Sequence, residues 1–286
     1  MKKKSLVYNW INILVLFAAA LIFFLNYNIY NVFQGVQMMH IVVVVATVVM
    51  VHFLKALRLY LALYGADITP SAYAKTYCKV TPVSILIPFK LGEFFRMYCY
   101  GHQAGNMLKG IVTVLMDRFM DTIALVTMIV VMWLASGETI IPLVYLLVVF
   151  LVIVTLMIIV FPGLYSYWKK YLLRADGTVR KIKMLRFLDT MNRVYLEIMN
   201  VSKGRGIILY VLSLLAWAVE IGSVVLLNAI TVDGAGLSNK ISEYLKSALV
   251  GSQTIELKRF VLISVILMIV IYLLVKAIDI SKSERK

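Results

Sequence analysis

A short apolar segment that is interrupted by proline and glycine constrains this sequence more than any other feature. The apolar run covers residues 83–91, whereas a helix needs about 20 apolar residues to cross a bilayer. Pro88 removes a backbone hydrogen-bond donor and Gly92 loosens the chain, so we expect a helix to break here. Broken backbone at membrane depth persists only where protein or a wet cavity covers it. The segment therefore predicts a re-entrant hairpin that lines a polar cavity, at residues 71–106.

The composition indicates a polytopic membrane protein and excludes a soluble domain. Hydrophobic residues make up 62% of the 286 residues, and the mean hydropathy is +0.92. The net charge of +15 does not require a nucleic-acid partner, because Lys and Arg collect on the cytoplasmic side of membrane proteins and meet anionic lipid there. Cys78 and Cys99 both fall on the predicted cytoplasmic flank of the hairpin, so no disulfide is expected. No metal-ligand spacing accompanies them, and the sequence predicts no metal or cofactor.

The hydropathy pattern predicts an all-α bundle that forms one integral membrane domain over residues 1–286. Both termini are expected in the cytoplasm, because lysines precede the first apolar run and the tail is basic. The apolar N-terminal run shows no small-residue cleavage site, so we interpret it as a retained helix. Pro162 and Gly163 are expected to close the fourth span, and Lys258 and Arg259 depart from the charge rule at the outer end of the last one. The six predicted spans cover residues 10–25, 38–64, 111–135, 140–161, 207–231 and 260–278.

Two segments outside the spans have amphipathic patterns. Residues 165–206 contain ten Lys or Arg and three Asp or Glu, which places them in the cytoplasm. Their apolar residues recur at helical spacing, which is typical of a helix on the inner leaflet or of a solvated connector beneath the bundle. Residues 233–256 are expected outside, with a short apolar face that indicates a surface helix or a second shallow hairpin. The two apolar faces consist of Ile182, Leu185, Leu188, Met191, Tyr195 and Ile198, and of Ile241, Tyr244, Leu245, Ala248 and Leu249.

Charged residues lie at helical spacing within the predicted hairpin and after it. Glu93 and Arg96 are three residues apart, Arg118 and Asp121 have the same spacing, and Asp117 precedes Asp121 by one turn. An ionisable group inserted in a membrane costs roughly 2.5–3.5 kcal/mol unless it is paired or hydrated. One interpretation is a network that pins the hairpin to the third span. The other is that the arginines keep donors for a lipid phosphate, which matches their bidentate fork.

A basic face on the second span also has two interpretations. His52, Lys55 and Arg58 are spaced by threes and share one face of the predicted helix. These side chains either extend toward water at the inner interface or turn toward the cavity, where a lipid phosphate would be held.

A single carboxylate lies near the middle of the fifth span. Glu220 follows Trp217 by about one turn, and an intramembrane carboxylate is a functional candidate. We expect it either to pair with Arg96 or Arg118 or to be protonated through desolvation.

Several of these residues also carry a family resemblance. The run IPFKLGEFFR, followed about twenty residues later by VLMDRFMD, resembles the signature of the lysylphosphatidylglycerol synthase transmembrane (flippase-like) family. The upstream FLKALRLYLALY places Arg58 in the pattern, and LSLLAWAVE matches more loosely at Trp217 and Glu220. The central motif falls on Pro88, Gly92, Glu93, Arg96, Arg118 and Asp121.

The resemblance implies a lipid flippase in the plasma membrane of a bacterium. Its substrate would be an anionic phospholipid, an aminoacylated phosphatidylglycerol or a polyprenyl-linked glycan, and an oligomer is compatible with it. The expected phosphate-binding residues are Arg58, Arg96 and Arg118. The expected cavity and positioning residues are Pro88, Lys90, Gly92, Glu93, Asp117, Asp121 and Glu220.

Enzyme signals are weak in this sequence. We find no Ser-His-Asp arrangement, phosphate-cradling glycine loop or metal spacing, so no catalytic residue is predicted. In the family's lysyltransferases the transferase is a separate soluble domain, which is expected to be absent here because the chain ends at Lys286 soon after the last span. Lysyl transfer is therefore the third hypothesis. The second is a membrane partner that docks a cytoplasmic synthase or glycosyltransferase through residues 165–206.

The sequence departs from the family pattern in its C-terminal half. No proline follows Pro162, whereas full-length relatives tend to carry a second Pro-Gly hairpin there. This departure argues against a cavity built from two symmetric hairpins. Lys90, between Pro88 and Gly92, is a milder departure.

Overall fold

The described part of the chain is entirely helical, which confirms the all-α prediction. The computed structural model describes residues 36–86, 91–136, 142–174, 179–230, 236–250 and 254–284, together with Phe17, Leu21 and Val32. These residues form nine helices and no strand. The helices are α1 (Met38–Ala62), α2 (Pro70–Leu86), α3 (Leu91–Gln103), α4 (Met107–Ser136), α5 (Pro142–Arg174), α6 (Val179–Ser202), α7 (Gly206–Ile230), α8 (Leu237–Val250) and α9 (Ile255–Glu284).

Five of the described helices are long and apolar enough to cross a membrane. They are α1, α4, α5, α7 and α9, and they correspond to the second to sixth predicted spans. The first predicted span, residues 10–25, lies almost entirely outside the described residues. A polytopic helical bundle is therefore confirmed.

The helix of the fourth span does not end at Pro162 and Gly163, so the predicted end of that helix is wrong. Helix α5 continues through both residues to Arg174. A proline within a helix removes one backbone hydrogen bond. The hydroxyl of Ser166 donates to the carbonyl of Gly163 at 2.9 Å, and the ring of Phe161 stacks on Tyr195 of α6.

Two short helices pack against each other where the hairpin was predicted. A Cβ atom added to Gly92 of α3 would lie 2.1 Å from the backbone oxygen of Ser84 in α2, so the two backbones touch near the turn. At the other end, the rings of Tyr73 and Tyr100 are 6.2 Å apart. The pair is therefore antiparallel. The connecting residues 87–90, which include Pro88 and Lys90, lie outside the described residues.

Cations close the end of the bundle that the charge rule assigns to the cytoplasm. Arg205, before α7, donates to the carbonyl of Leu61 at 3.1 Å, and Lys109 of α4 donates to the carbonyl of Tyr64 at 3.3 Å. These carbonyls lie in the last turn of α1 and just after it, where cations complement the helix dipole. The contacts hold the end of α1 beside the beginnings of α4 and α7.

Arg259, which departs from the charge rule, has a backbone partner. Its Nε donates to the carbonyl of Val32 at 3.0 Å. Arg259 lines a small cavity together with His40 of α1 and Leu227 of α7. This contact satisfies part of its hydrogen-bonding capacity at the outer end of the bundle.

The two amphipathic segments are both helices, but they pack differently. In α6, Ile198 packs against α4, whereas Ile182 and Phe187 near its beginning are exposed. Whether that exposed half lies on the inner leaflet stays a prediction. In α8, the apolar face packs into the bundle core, and Tyr244 and Leu245 are buried there. The apolar face predicted for α8 is therefore confirmed, and it is turned toward the bundle.

We predict that Gly110→Ala destabilises the bundle by separating α3 from α4. A Cβ at Gly110 would lie 2.2 Å from the backbone nitrogen of Gly101, and backbone cannot move aside cheaply. We expect a loss of about 1–3 kcal/mol, as for other overpacked sites, measured by thermal unfolding in detergent. Gly222→Ala is the matched control, because a Cβ there meets nothing within 4 Å. Equal thermal unfolding midpoints for the two variants would contradict the close approach of α3 and α4.

Candidate functional site

A buried arginine joins three membrane helices in the half of the bundle that the charge rule assigns to the cytoplasmic side. Arg58 of α1 donates through Nε to Asp117 of α4 at 2.7 Å and through Nη1 to Asp121 at 2.8 Å. The same Nη1 donates to the hydroxyl of Ser213 of α7 at 2.6 Å. The side chains of Arg58 and Asp117 are only 2% and 3% exposed. Few water molecules reach these two charges, so each charge needs the other as its partner.

Helical periodicity explains why these side chains meet. Asp117 and Asp121 are four residues apart on α4 and share a face. Arg58 lies four residues before the end of α1, at a depth that matches the first third of α4. Ser213 donates its own proton to the carbonyl of Leu209 at 2.9 Å, so its oxygen remains free to accept from Arg58.

The ion pairs continue from the buried arginine to the hairpin. Asp117 contacts Arg96 of α3 at 3.5 Å through its second oxygen. Arg96 in turn contacts Glu93 at 3.2 Å, and the other oxygen of Glu93 contacts Arg118 of α4. The side chain of Glu93 is 24% exposed and that of Arg118 is 48% exposed. The series therefore leads from fully buried Arg58 to accessible Arg118, and it fastens the hairpin to α4.

The formal charges of this network balance. Three arginines, Arg58, Arg96 and Arg118, face three carboxylates, Glu93, Asp117 and Asp121. A balanced network lowers the cost of placing charges in the membrane. It also means that an incoming anion must compete with a resident carboxylate or use donors that remain unoccupied. Arg118 has such donors, since a guanidinium carries five N–H groups and this one is half exposed.

A second ion pair lies farther along α1 and α7. Lys55 contacts Glu220 of α7 at 3.1 Å, and Tyr244 of α8 donates to the other oxygen of Glu220 at 3.2 Å. Burial, followed by the negative charge of Glu220, raises the pKa of Tyr244, so its phenol stays protonated and acts as a donor. The structure thus places Lys55 beside Glu220, in the position where the sequence analysis expected Arg96 or Arg118.

The basic face of α1 is turned into the bundle. His52 lies one turn before Lys55, and its ring nitrogens contact the hydroxyls of Tyr77 in α2 and Ser264 in α9 at 3.3 and 2.6 Å. His52, Lys55 and Arg58 therefore connect α1 to different elements. Of the two interpretations of this face, the structure favours the inward orientation over extension toward water at the interface.

Other predicted residues have structural positions without an assigned ligand. Gly92 allows α3 to touch α2, and Pro88 and Lys90 lie outside the described residues. Within the described ranges, no group of three or more His, Cys, Asp or Glu side chains is arranged to hold a metal ion. The phosphate-binding roles of Arg58, Arg96 and Arg118 stay predictions.

The sequence analysis did not identify Ser213, Tyr244 or the pairing of Lys55 as parts of the site. The spacing of Lys55 and Arg58 was a usable signal for the Lys55 side chain. Ser213 is a polar residue in an apolar helix, which is a weak signal. Tyr244 gave none, because its contact with Glu220 depends on how α8 packs against α7.

We predict that Arg58→Met strongly destabilises the protein, because it leaves Asp117 and Asp121 buried without their main partner. Breaking a buried ion pair typically costs about 3–5 kcal/mol. Arg118→Gln is the matched control, since its half-exposed ion pair should contribute about 1 kcal/mol or less. Denaturant unfolding in mixed micelles measures both. Similar losses in the free energy of unfolding for the two variants would show that the buried end of the network contributes no more to stability than the exposed end.

Comparison with known proteins identifies the family. Residues 9–235 match the lysylphosphatidylglycerol synthase TM region, so α1 to α7 and all six members of the arginine–carboxylate network lie within the match. A search among curated proteins found no match, and neither did a search among solved structures. Because the match covers most of the chain, this multi-pass membrane protein belongs to the lysylphosphatidylglycerol synthase TM family, and its role is related to membrane lipids.

Proposed function

We propose that this protein moves an anionic lipid headgroup between the leaflets of a bacterial plasma membrane. The candidate substrates are an anionic phospholipid, an aminoacylated phosphatidylglycerol and a polyprenyl-linked glycan, which share a phosphate. The observation that carries the proposal is the series of ion pairs from accessible Arg118 to buried Arg58. Family membership supports it, since the family acts in the context of membrane lipids.

The accessible end of the series suits a first contact with phosphate. Arg118 is half exposed and its described carboxylate contact is with Glu93. A phosphate accepts the bidentate fork of arginine as well as a carboxylate does. The headgroup therefore binds Arg118 by competing with Glu93, and Arg96 is the next guanidinium along the series.

Displacement of Glu93 has a mechanical consequence. Glu93 is the carboxylate through which Arg118 of α4 holds the beginning of α3. Next to it, Gly92 rests directly on the backbone of Ser84. A headgroup that replaces Glu93 therefore loosens the tip of the helix pair α2–α3 from α4 while Arg96 still holds Asp117. This is the conformational step that we assign to the hairpin.

A second candidate function is docking of a cytoplasmic lipid-modifying synthase or glycosyltransferase. It is favoured by the beginning of α6, where Arg180, Lys183 and Arg186 are exposed beside the exposed ring of Phe187. Such a surface fits an acidic partner through charge complementarity.

We predict that purified protein in vesicles accelerates exchange of a fluorescent phosphatidylglycerol between leaflets. Arg96→Gln and Arg118→Gln should each slow this exchange about tenfold or more, because a hydrogen bond to a charged group contributes about 1.5–3 kcal/mol. The measurement is the fraction of label that an impermeant quencher reaches over time.

Lys203→Gln is the matched control for the loss of one positive charge. Lys203 is exposed in the turn between α6 and α7 and is not part of the network. The Lys203→Gln variant should therefore exchange the labelled lipid between leaflets at the same rate as the unmodified protein. No acceleration over empty vesicles for any of the three lipid classes, with each variant behaving like the unmodified protein, would refute the proposal.

The docking candidate predicts a different result. Reversing the charges of Arg180, Lys183 and Arg186 to glutamate should abolish recovery of the acidic enzyme in a pull-down from membranes and leave leaflet exchange unchanged. Recovery that is equal before and after charge reversal would exclude this surface as the docking site.

A further inference from the structure

Three donor groups of α3 and α4 are buried without a hydrogen-bond partner among the described residues. They are Nε of Arg96, the hydroxyl of Tyr100 and the hydroxyl of Thr113. Arg96 is 7% exposed, whereas Tyr100 and Thr113 are completely buried. Buried polar groups normally have partners, because a group without one loses its hydration and gains nothing in return. Three such donors in one small region therefore indicate a site for an acceptor that comes from outside the chain.

Helix α3 meets α4 at two levels. At the first, a Cβ at Gly110 would lie 2.2 Å from the backbone nitrogen of Gly101, so the two backbones touch. At the second, Arg96 contacts Asp117 at 3.5 Å. The interior between these two contacts is bounded by residues 96–101 of α3 and residues 110–117 of α4, which are one to two turns long in each helix.

Tyr100 and Thr113 both lie between the two contacts. Tyr100 follows Arg96 by one turn, and a helical side chain leans toward the N-terminus of its helix, so Tyr100 covers the turn that carries Arg96. Thr113 precedes Asp117 by one turn on the same face of α4, and Asp117 is the contact of Arg96. The three donors are therefore at the same level of the α3–α4 contact.

The hydroxyl of Thr113 differs from those of other threonines within helices. A threonine in a helix commonly donates to the carbonyl four residues earlier, which satisfies its hydroxyl locally. Thr113 does not make this bond, so its proton remains available to another acceptor. Six threonines in the described helices do make it: Thr47, Thr76, Thr122, Thr127, Thr155 and Thr190.

The chemistry of the three groups fits an oxyanion. Nε of Arg96 can only donate, and each of the two hydroxyls can donate one proton. Phosphate offers several acceptor oxygens, and hydrogen bonds between charged groups are shorter and stronger than neutral ones. The Nη atoms of Arg96 already contact Glu93 and Asp117. A phosphate that binds through Nε therefore displaces neither carboxylate from Arg96.

We propose that Arg96, Tyr100 and Thr113 form a second, buried binding position for the phosphate of a lipid headgroup, which the headgroup reaches from Arg118. This inference rests on the proposed function and adds to it. In the conformational step that we assign to the hairpin, the tip of α2–α3 separates from α4 while Arg96 still holds Asp117. This movement opens the interior between α3 and α4 to the headgroup.

Two deletions of a tyrosine hydroxyl should have opposite effects on stability. Tyr73 packs against Tyr100, but its hydroxyl donates to the carbonyl of Ala56 at 2.6 Å. Tyr73→Phe should therefore lower the thermal unfolding midpoint in phosphate-free maltoside micelles, because that hydrogen bond is lost. Tyr100→Phe should leave the midpoint unchanged or raise it, because it removes a buried hydroxyl that has no partner. Midpoints lowered equally by the two substitutions would overturn the proposal, since the hydroxyl of Tyr100 would then have a protein partner.

Calorimetric titration with inorganic phosphate and with short-chain phosphatidylglycerol measures binding at the buried position. The Arg118→Gln variant lacks the first contact, and we expect it to retain saturable binding. Adding Tyr100→Phe or Thr113→Val to this variant should weaken that binding about tenfold or more, which is the effect of one hydrogen bond to a charged group. Adding Tyr73→Phe instead should leave the affinity unchanged, which makes it the matched control.

The choice of ligand separates the two sources of phosphate. Binding of both ligands identifies phosphate itself as the group that is recognised. Binding of the lipid alone supports the proposal with the lipid tail as a further requirement. Binding of inorganic phosphate without binding of the lipid overturns the proposal, because the buried position then does not accept a headgroup.

Two further results would overturn the buried position. One is an equal affinity of Arg118→Gln with and without Tyr100→Phe, and the other is complete loss of binding in Arg118→Gln. These results are distinguishable from a failure of the proposed function. Leaflet exchange by a protein whose binding is abolished by Arg118→Gln removes the buried position and leaves translocation standing. Binding that Arg118→Gln retains and Tyr100→Phe weakens, without leaflet exchange, does the reverse.

Discussion

The contact between Arg58 and Asp117 determines how α1, α4 and α7 are assembled. Both side chains are buried, so neither charge is stable without the other. Their 2.7 Å contact fixes α1 against α4, and the same guanidinium reaches Ser213 of α7. Asp117 then offers its second oxygen to Arg96, which sets the position of the hairpin. A single buried pair thus orients three spans and the helix pair that packs beside them.

Local patterns in the sequence were sufficient to predict the helices and the faces that carry charge. The spacing of Asp117 and Asp121 predicts a shared face on any helix, whatever packs against it. Their main partner, Arg58, is 59 residues earlier than Asp117 in the chain. Its identity depends on how α1, α4 and α7 pack together, and no periodicity in the sequence contains that information. For the same reason, the contact of Tyr244 with Glu220 was found only in the structure.

The continuation of α5 through Pro162 shows that a Pro-Gly pair alone does not end a helix. A proline inside a helix removes one backbone hydrogen bond, and the hydroxyl of Ser166 donates to the carbonyl of Gly163 just after this pair. The helix pair α2–α3 differs from α5 in its packing. Gly92 of α3 lies directly on the backbone of Ser84 of α2, whereas a Cβ at Gly163 would meet nothing within 4 Å.

The balance of charge in the site bears on how a phosphate would be both bound and released. Three uncompensated arginines would hold a phosphate too tightly for transport, which requires binding that is weak enough to reverse. In this protein each cation already has a carboxylate, so an anion gains only the difference between two similar partners. Glu93 beside Arg118 and Glu220 beside Lys55 are the carboxylates at the two more accessible cations. In the proposed transport, each carboxylate would re-form its ion pair when the headgroup leaves, so that binding of the headgroup would be reversible.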